Sequence, residues 1–288
     1  MPNPKRCENP RESASGKSTK PGTTSLYRQG DAAMAFRIAS NLWWEATEDA
    51  RLAPCLPEVT GFLLSLMSEI PRSPLATSWI QGAWQYAMST RDTQAGYIGL
   101  VLQRWLFEQQ RWEESWAVGR ILRREQSGSN VALSATIGMG SAYCALEQSE
   151  EATFYYETAA QEWTASQGLV LLSHVHHGLS ASLAQLRQWD QAAAHAEQAY
   201  ELYRVVQSDR AHEALHNLGL IRGYQKPDGI VTGLKILESV AEHYESVGDV
   251  VRLRAVLADC VVLATATATS RDSDWRLYQR RLDAIAER

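Results

Sequence analysis

The chain has 288 residues, of which 45% are hydrophobic and 21% are charged, so it can form one large globular domain or two small ones. Residues 1–28 carry six Lys or Arg against two Glu, whereas the remainder carries 22 bases and 31 acids, and that net charge of −9 argues against nonspecific nucleic-acid binding. Four cysteines without CxxC spacing, and the lack of any apolar run near the ~18 residues of a membrane span, predict a cytoplasmic protein with neither a disulfide framework nor a membrane partner.

Residues 1–25 are predicted to form a disordered basic tail. They hold four of the nine prolines and almost no large apolar residue, so they cannot offset the entropy of ordering. The tail is either a solvated extension or a basic anchor or localisation segment. Gly16-Lys17-Ser18-Thr19 echoes the end of a phosphate-binding loop, but Arg11 stands where the first glycine should be and no strand precedes it. We therefore predict no nucleotide and no other cofactor.

The rest of the chain is predicted to be helical. Residues 75–226 contain no proline and are rich in Ala, Leu, Gln, Glu and Arg, and no hairpin dipeptide is flanked by alternating β-branched residues. The periodicity predicts roughly thirteen helices after residue 30. Their candidate N-caps are Asp31, Asn130, Ser149, Asp190, Ser208 or Asp209, Asp228, Asp249 and Ser273.

An internal repeat runs through the second part of the chain. Gly140 is followed twelve positions later by Ala152, and Ser180 is followed twelve positions later by Ala192. Small residues at these two places let two helices approach closely, and each helix pair then buries its apolar stripe against the next pair. A weaker copy lies upstream around Ser115. A fourth copy begins at Leu218-Gly219 and needs about two extra residues near Pro227, and a degenerate fifth follows Leu257.

This pattern resembles the tetratricopeptide repeat family, in its long-period form found in bacterial regulators. Met139-Gly140-x-x-Tyr143, Glu151-Ala152 and Tyr156-x-x-Ala159 match the consensus of the two helices, although the closing proline is missing and the period is nearer 40 than 34 residues. The resemblance implies an all-α fold, a right-handed α-solenoid of stacked antiparallel helix pairs. We expect a helical segment at 26–94, continuous with the repeat region at 95–288.

The resemblance also implies a concave groove lined by the first helix of each pair. The groove positions that carry polar or aromatic side chains are Tyr97, Arg104, Phe107, Ser141, His174, His177, Glu213, His216, Arg252 and Asp259. We expect a noncatalytic scaffold that binds a peptide or protein there and serves as a regulatory or sensor module, with His174 and His177 making binding sensitive to pH near ~6–7.

Other interpretations of the same residues stay open. His174, His177 and His216 are alternatively packing or solvated residues, or a metal site, for which the sequence shows no convergence; we predict no metal. A transcription regulator with a DNA-binding segment at 30–90 is the alternative function, but that segment is acidic and shows no helix-turn-helix signature. The early tryptophans, Trp43, Trp44, Trp79 and Trp84, indicate buried packing or else an aromatic patch for a homodimer.

Overall fold

A computed structural model describes residues 31–70, 72–225, 229–266 and 274–286. These residues form thirteen α-helices and two short 3₁₀ turns, with no β-strand among them, which confirms the all-α class. The chain divides into two compact units, with the boundary between Trp105 and Leu106. The predicted tail at 1–25, including Gly16–Thr19, lies outside the described residues, and so do the candidate N-caps Asp228 and Ser273.

The first unit contains three helices and most of a fourth. They are α1 (Ala32–Glu48), α2 (Leu56–Leu66), α3 (Pro74–Thr90) and α4 (Ala95–Glu108), which ends beyond the unit boundary. The predicted cap at Asp31 is confirmed, because its Oδ1 accepts a hydrogen bond from the Met34 N–H at 2.8 Å.

Tryptophans fill the core of the first unit. Trp43 and Trp79 are fully buried with their rings edge to face at 6.3 Å, and Trp43 Nε1 donates to Thr60 Oγ1 at 2.9 Å. The packing interpretation of these two residues is therefore confirmed. Trp44 is 41% exposed, and its part in a dimer patch stays a prediction.

The second unit continues with nine helices. They are α5 (Trp112–Glu125), α6 (Asn130–Ala145), α7 (Ser149–Glu162), α8 (Leu169–Gln185), α9 (Trp189–Val205), α10 (Ala211–Gln225), α11 (Gly229–Ser246), α12 (Val250–Ala266) and α13 (Asp274–Ala286). Each helix packs on the next along the chain. In addition α6, α8, α10 and α12, which we call the first helices, contact one another in succession. No helix among the described residues is long and apolar enough to cross a membrane.

The small residues of the repeat lie at helix junctions. Gly140, Ala152, Ser180 and Ala192 are all buried, as the sequence predicts. In the fourth copy the matching pair is Gly219 and Gly233, and a β-carbon on Gly233 would lie 2.6 Å from the Gly219 carbonyl oxygen. The extra residues near Pro227 therefore do not prevent Gly219 and Gly233 from meeting at the junction of the two helices. Pro227 itself lies outside the described residues.

Left-handed residues end the helices at the same interval as the repeat. Gln110, Glu147 and Arg187 have φ values of 60°, 60° and 57° and lie 37 and 40 positions apart. After each of them, the next N–H donates to a carbonyl five residues back, as Gln148 does to Tyr143 and Gln188 to Leu183. This is the Schellman arrangement, formed here without glycine.

These tight turns displace several predicted caps. At α6 the cap is Ser129 rather than Asn130, because the Ser129 hydroxyl accepts a hydrogen bond from the Ala132 N–H at 3.2 Å. At α7 and α9 the residues before the helix are Gln148 and Gln188, in place of the predicted Ser149 and Asp190. In both cases the residue whose N–H completes the Schellman turn is also the N-cap of the following helix. The backbone turn, and not a capping side chain, therefore sets where α7 and α9 begin. The helix α10 begins at Ala211, after the predicted Ser208 or Asp209. At Asp249 the prediction holds, because its Oδ1 accepts from the Arg252 N–H at 3.0 Å.

Candidate functional site

The predicted groove residues divide between the two units. Tyr97 and Arg104 lie on the part of α4 that belongs to the first unit, and both are exposed. Phe107 is half-buried at the end of α4 in the second unit. Ser141 is turned toward its own helix pair, because its hydroxyl lies 3.0 Å from the Tyr156 hydroxyl on α7.

The remaining six residues occur on three successive first helices, α8, α10 and α12, and we call them the polar face. They are His174, His177, Glu213, His216, Arg252 and Asp259. All six lie at least partly in solvent: five are half-buried and Arg252 is exposed.

Two bonds join α10 to α12 across this face. Arg252 Nη2 donates to Glu213 Oε1 at 2.7 Å, and His216 Nε2 donates to Asp259 Oδ2 at 2.8 Å. Both bonds join positions that the resemblance assigns to the groove. The predicted residues of these two helices are therefore neighbours on one surface, and each helix contributes one acidic and one basic side chain.

A third bond joins α8 to α10 beside the face. Asn217 Nδ2 donates to Ser180 Oγ at 2.7 Å, and Ser180 Oγ donates in turn to the His177 carbonyl oxygen at 2.7 Å. Ser180 is fully buried, so this pair fixes the alignment of the two helices at the base of the polar face.

The two α8 histidines pack against an aromatic ring at the end of α9. The Tyr203 ring centroid lies 5.7 Å from that of His174 and 6.2 Å from that of His177. Arg210 follows in the connection to α10, and its Nε lies 3.5 Å from Glu213 Oε2. Glu213 therefore lies between two guanidinium groups, Arg210 and Arg252. His177 Nδ1 is buried and has no hydrogen-bond partner among the described residues.

Burial controls the protonation of these groups. It lowers the pKa of His174 to about 4, with a further contribution from the positive charge of Arg210, and the same two causes lower the pKa of His177. Burial also raises the pKa of the Tyr203 phenol. The His174 imidazole is thus neutral at pH 6–7, well above the pH at which it titrates, and burial favours the neutral form of His177 as well. Neutral imidazoles can both donate and accept hydrogen bonds.

Sequence reasoning missed the aromatic residues at the ends of the second helices. Trp163 directly follows α7, and Tyr203 and Tyr244 lie in the last turns of α9 and α11. These three residues are spaced 40 and 41 positions apart. Tyr244 is buried with the Arg252 guanidinium 5.8 Å from its ring, much as Tyr203 supports the α8 histidines. The common spacing is the signal that identifies them.

The histidines do not form a metal centre within the described part of the chain. No three His, Cys, Asp or Glu side chains there are placed to hold a metal ion together. No protein family and no curated protein sequence matches the chain. The functional assignment therefore depends on the geometry of the polar face and of the helices that carry it.

Proposed function

We propose that the chain is a noncatalytic α-solenoid scaffold of the tetratricopeptide type, and that it binds a peptide or protein segment along the polar face. The observation that carries this proposal is the pair of bonds Glu213–Arg252 and His216–Asp259, since they make one continuous surface of groove positions on α10 and α12.

The solenoid part of the proposal is supported by the spacing of side-chain bonds. Bonds between helices of the second unit recur at separations of 36 to 43 residues, about one repeat: Arg123–Glu162, Ser149–Gln185, Ser180–Asn217, Glu213–Arg252, His216–Asp259 and Glu245–Arg281. Each module is thereby joined laterally to the next, which is the packing rule of repeat proteins.

The binding part is supported by the chemistry of the polar face. It offers three imidazoles, one guanidinium group and two carboxylates on three helices, and the Arg210 guanidinium lies beside it. Such side chains suit hydrogen bonds to an extended peptide, and mixed charge selects the sequence of the partner. In this proposal the buried, unpartnered Nδ1 of His177 is a polar atom that a ligand would satisfy.

A peptide library displayed on phage tests the proposal. Peptides selected on the native chain should bind less tightly to His177→Ala and to Arg252→Ala, with unchanged circular dichroism. The matched control is Gln191→Ala, which changes an exposed residue on α9 away from the polar face. Equal retention of the selected peptides by the groove variants and the control would show that the polar face is not the binding surface.

The alternative of a DNA-binding regulator is tested separately. A gel-shift assay at low salt with the full chain is expected to show no complex, because the net charge of residues 29–288 is −9. A shifted band that disappears with rising salt would instead favour the regulator.

A further inference from the structure

A cavity on the second unit lies away from the polar face, between the start of α5 and the end of α6. Its volume is about 340 Å³, and its lining residues are Glu113, Trp116, Ala117, Ala142, Tyr143, Leu146 and Gln148. Ala117, Ala142 and Leu146 give it an apolar floor. None of these residues belongs to the predicted groove.

Two aromatic rings form the walls of this cavity. The rings of Trp116 and Tyr143 meet at 75° with their centroids 6.1 Å apart. Tyr155 stacks on Tyr143 at 5.4 Å and 13°, so the Tyr143 ring is held in place from the side of α7. The Arg120 guanidinium lies 4.9 Å from the Trp116 ring centroid, which shows that this ring already attracts a cation of the chain itself.

One carboxylate at the cavity has no ion-pair partner among the described residues. Glu113 lines the cavity, is exposed and makes no ion pair with any described residue. Its neighbour Glu114 is engaged by Arg111 at 2.6 Å and so does not contribute a free charge. On the other side of the cavity, burial raises the pKa of the Tyr143 phenol, and the charges of the Tyr155 phenol and the Glu151 carboxylate raise it further.

We propose that this cavity binds an alkylammonium group, presented as a lysine side chain of a peptide. The apolar floor suits the four methylene groups of lysine, the aromatic walls suit the ammonium group through cation–π attraction, and the Glu113 carboxylate pairs with its charge. An anionic or neutral side chain gains neither the cation–π attraction nor the ion pair with Glu113. This site is independent of the polar face, so either proposal can fail alone.

The test uses blocked lysine, N-acetyl-lysine N-methylamide, as the probe and the full chain as the protein. Its neutral counterpart is N-acetyl-norleucine N-methylamide, which keeps the methylene groups and lacks the ammonium group. Binding is followed through the indole N–H signal of Trp116 in a ¹H–¹⁵N spectrum, assigned with Trp116→Phe. We expect the lysine probe to shift this signal to saturation and the norleucine probe to leave it in place.

Charge variants make the test specific. Glu113→Gln is expected to weaken the lysine probe about two- to fivefold. The matched control is Glu242→Gln, at an exposed glutamate of α11 that forms no ion pair with any described residue, and it should leave the affinity unchanged. Equal binding of the two probes, or equal effects of the two variants, would overturn the proposal. Tighter binding of spermidine than of the lysine probe at the same salt would overturn the peptide source in favour of a free polyamine.

Discussion

Gly233 of α11 lies against the backbone of Gly219 in α10, so closely that a β-carbon on Gly233 would come 2.6 Å from the Gly219 carbonyl oxygen and 2.8 Å from the Gly223 Cα. The obstacle is backbone rather than a flexible side chain. It cannot move without separating the two helices, and this contact therefore sets the distance between α10 and α11.

Replacing Gly233 should destabilise the second unit. We expect Gly233→Ala to lower the free energy of unfolding by about 2 kcal/mol, since the clash outweighs the ~1 kcal/mol that alanine gains in helix propensity. Urea unfolding followed by circular dichroism measures the change. The control is Gly61→Ala in α2, where a β-carbon meets nothing within 4 Å, and there we expect a gain of about 0.5–1 kcal/mol. Stabilisation by both substitutions would contradict the close contact.

The left-handed turn at Arg187 predicts the opposite effect of glycine. Arg187 has φ 57°, a region that costs a side chain with a β-carbon about 1 kcal/mol. Arg187→Gly should therefore raise the free energy of unfolding by about 0.5–1 kcal/mol, measured by urea unfolding. Arg187→Ala keeps the β-carbon and should gain nothing. An equal gain from alanine would mean that the charge, and not the backbone, is responsible.

Stability should fall as the pH is lowered below neutrality. Burial lowers the pKa of both His174 and His176 to about 4 from an ordinary 6.5, so between these values the unfolded chain binds more protons than the folded chain. The contribution of these groups is complete above pH 6.5 and is lost as the pH falls toward 4. Urea unfolding at a series of pH values should show this fall, and His174→Gln should make it shallower. A pH dependence identical to that of the native chain would contradict the assignment to His174.

The bond between His216 and Asp259 predicts a measurable coupling between α10 and α12. A double-mutant cycle with His216→Ala and Asp259→Ala should give about 0.5–1 kcal/mol, a modest value because both side chains are partly exposed. The free energies of unfolding of the native chain, both single variants and the double variant provide the measurement. A coupling energy of zero would show that the bond does not form in solution.

The close-packed junctions were the part of the fold that the sequence predicted best. Gly140 with Ala152 and Ser180 with Ala192 are small residues at a fixed separation, and only close packing of two helices explains such a pattern. Their burial confirms it. Helix boundaries were harder, because Glu147 and Arg187 adopt a left-handed conformation that neither residue type signals.

The candidate site was predictable only in outline. The repeat register named Glu213, His216, Arg252 and Asp259, and the structure pairs them across two helices. The register could not reveal that Tyr203 supports the α8 histidines, because that contact joins the start of one helix to the end of the next and depends on the angle between them. For the same reason the low pKa of His174 could not be foreseen, since it follows from burial.

The lateral side-chain bonds at one-repeat spacing have a consequence for how the second unit opens. Tyr278 and Arg281 of α13 bond to Glu238 and Glu245 of α11, and α12 bonds back to α10, so the last pair is held by its immediate neighbours. Local opening of α12 and α13 breaks those bonds but none of the bonds among α5 to α9. Amide hydrogens of α13 should consequently exchange faster than those of α8 and α9.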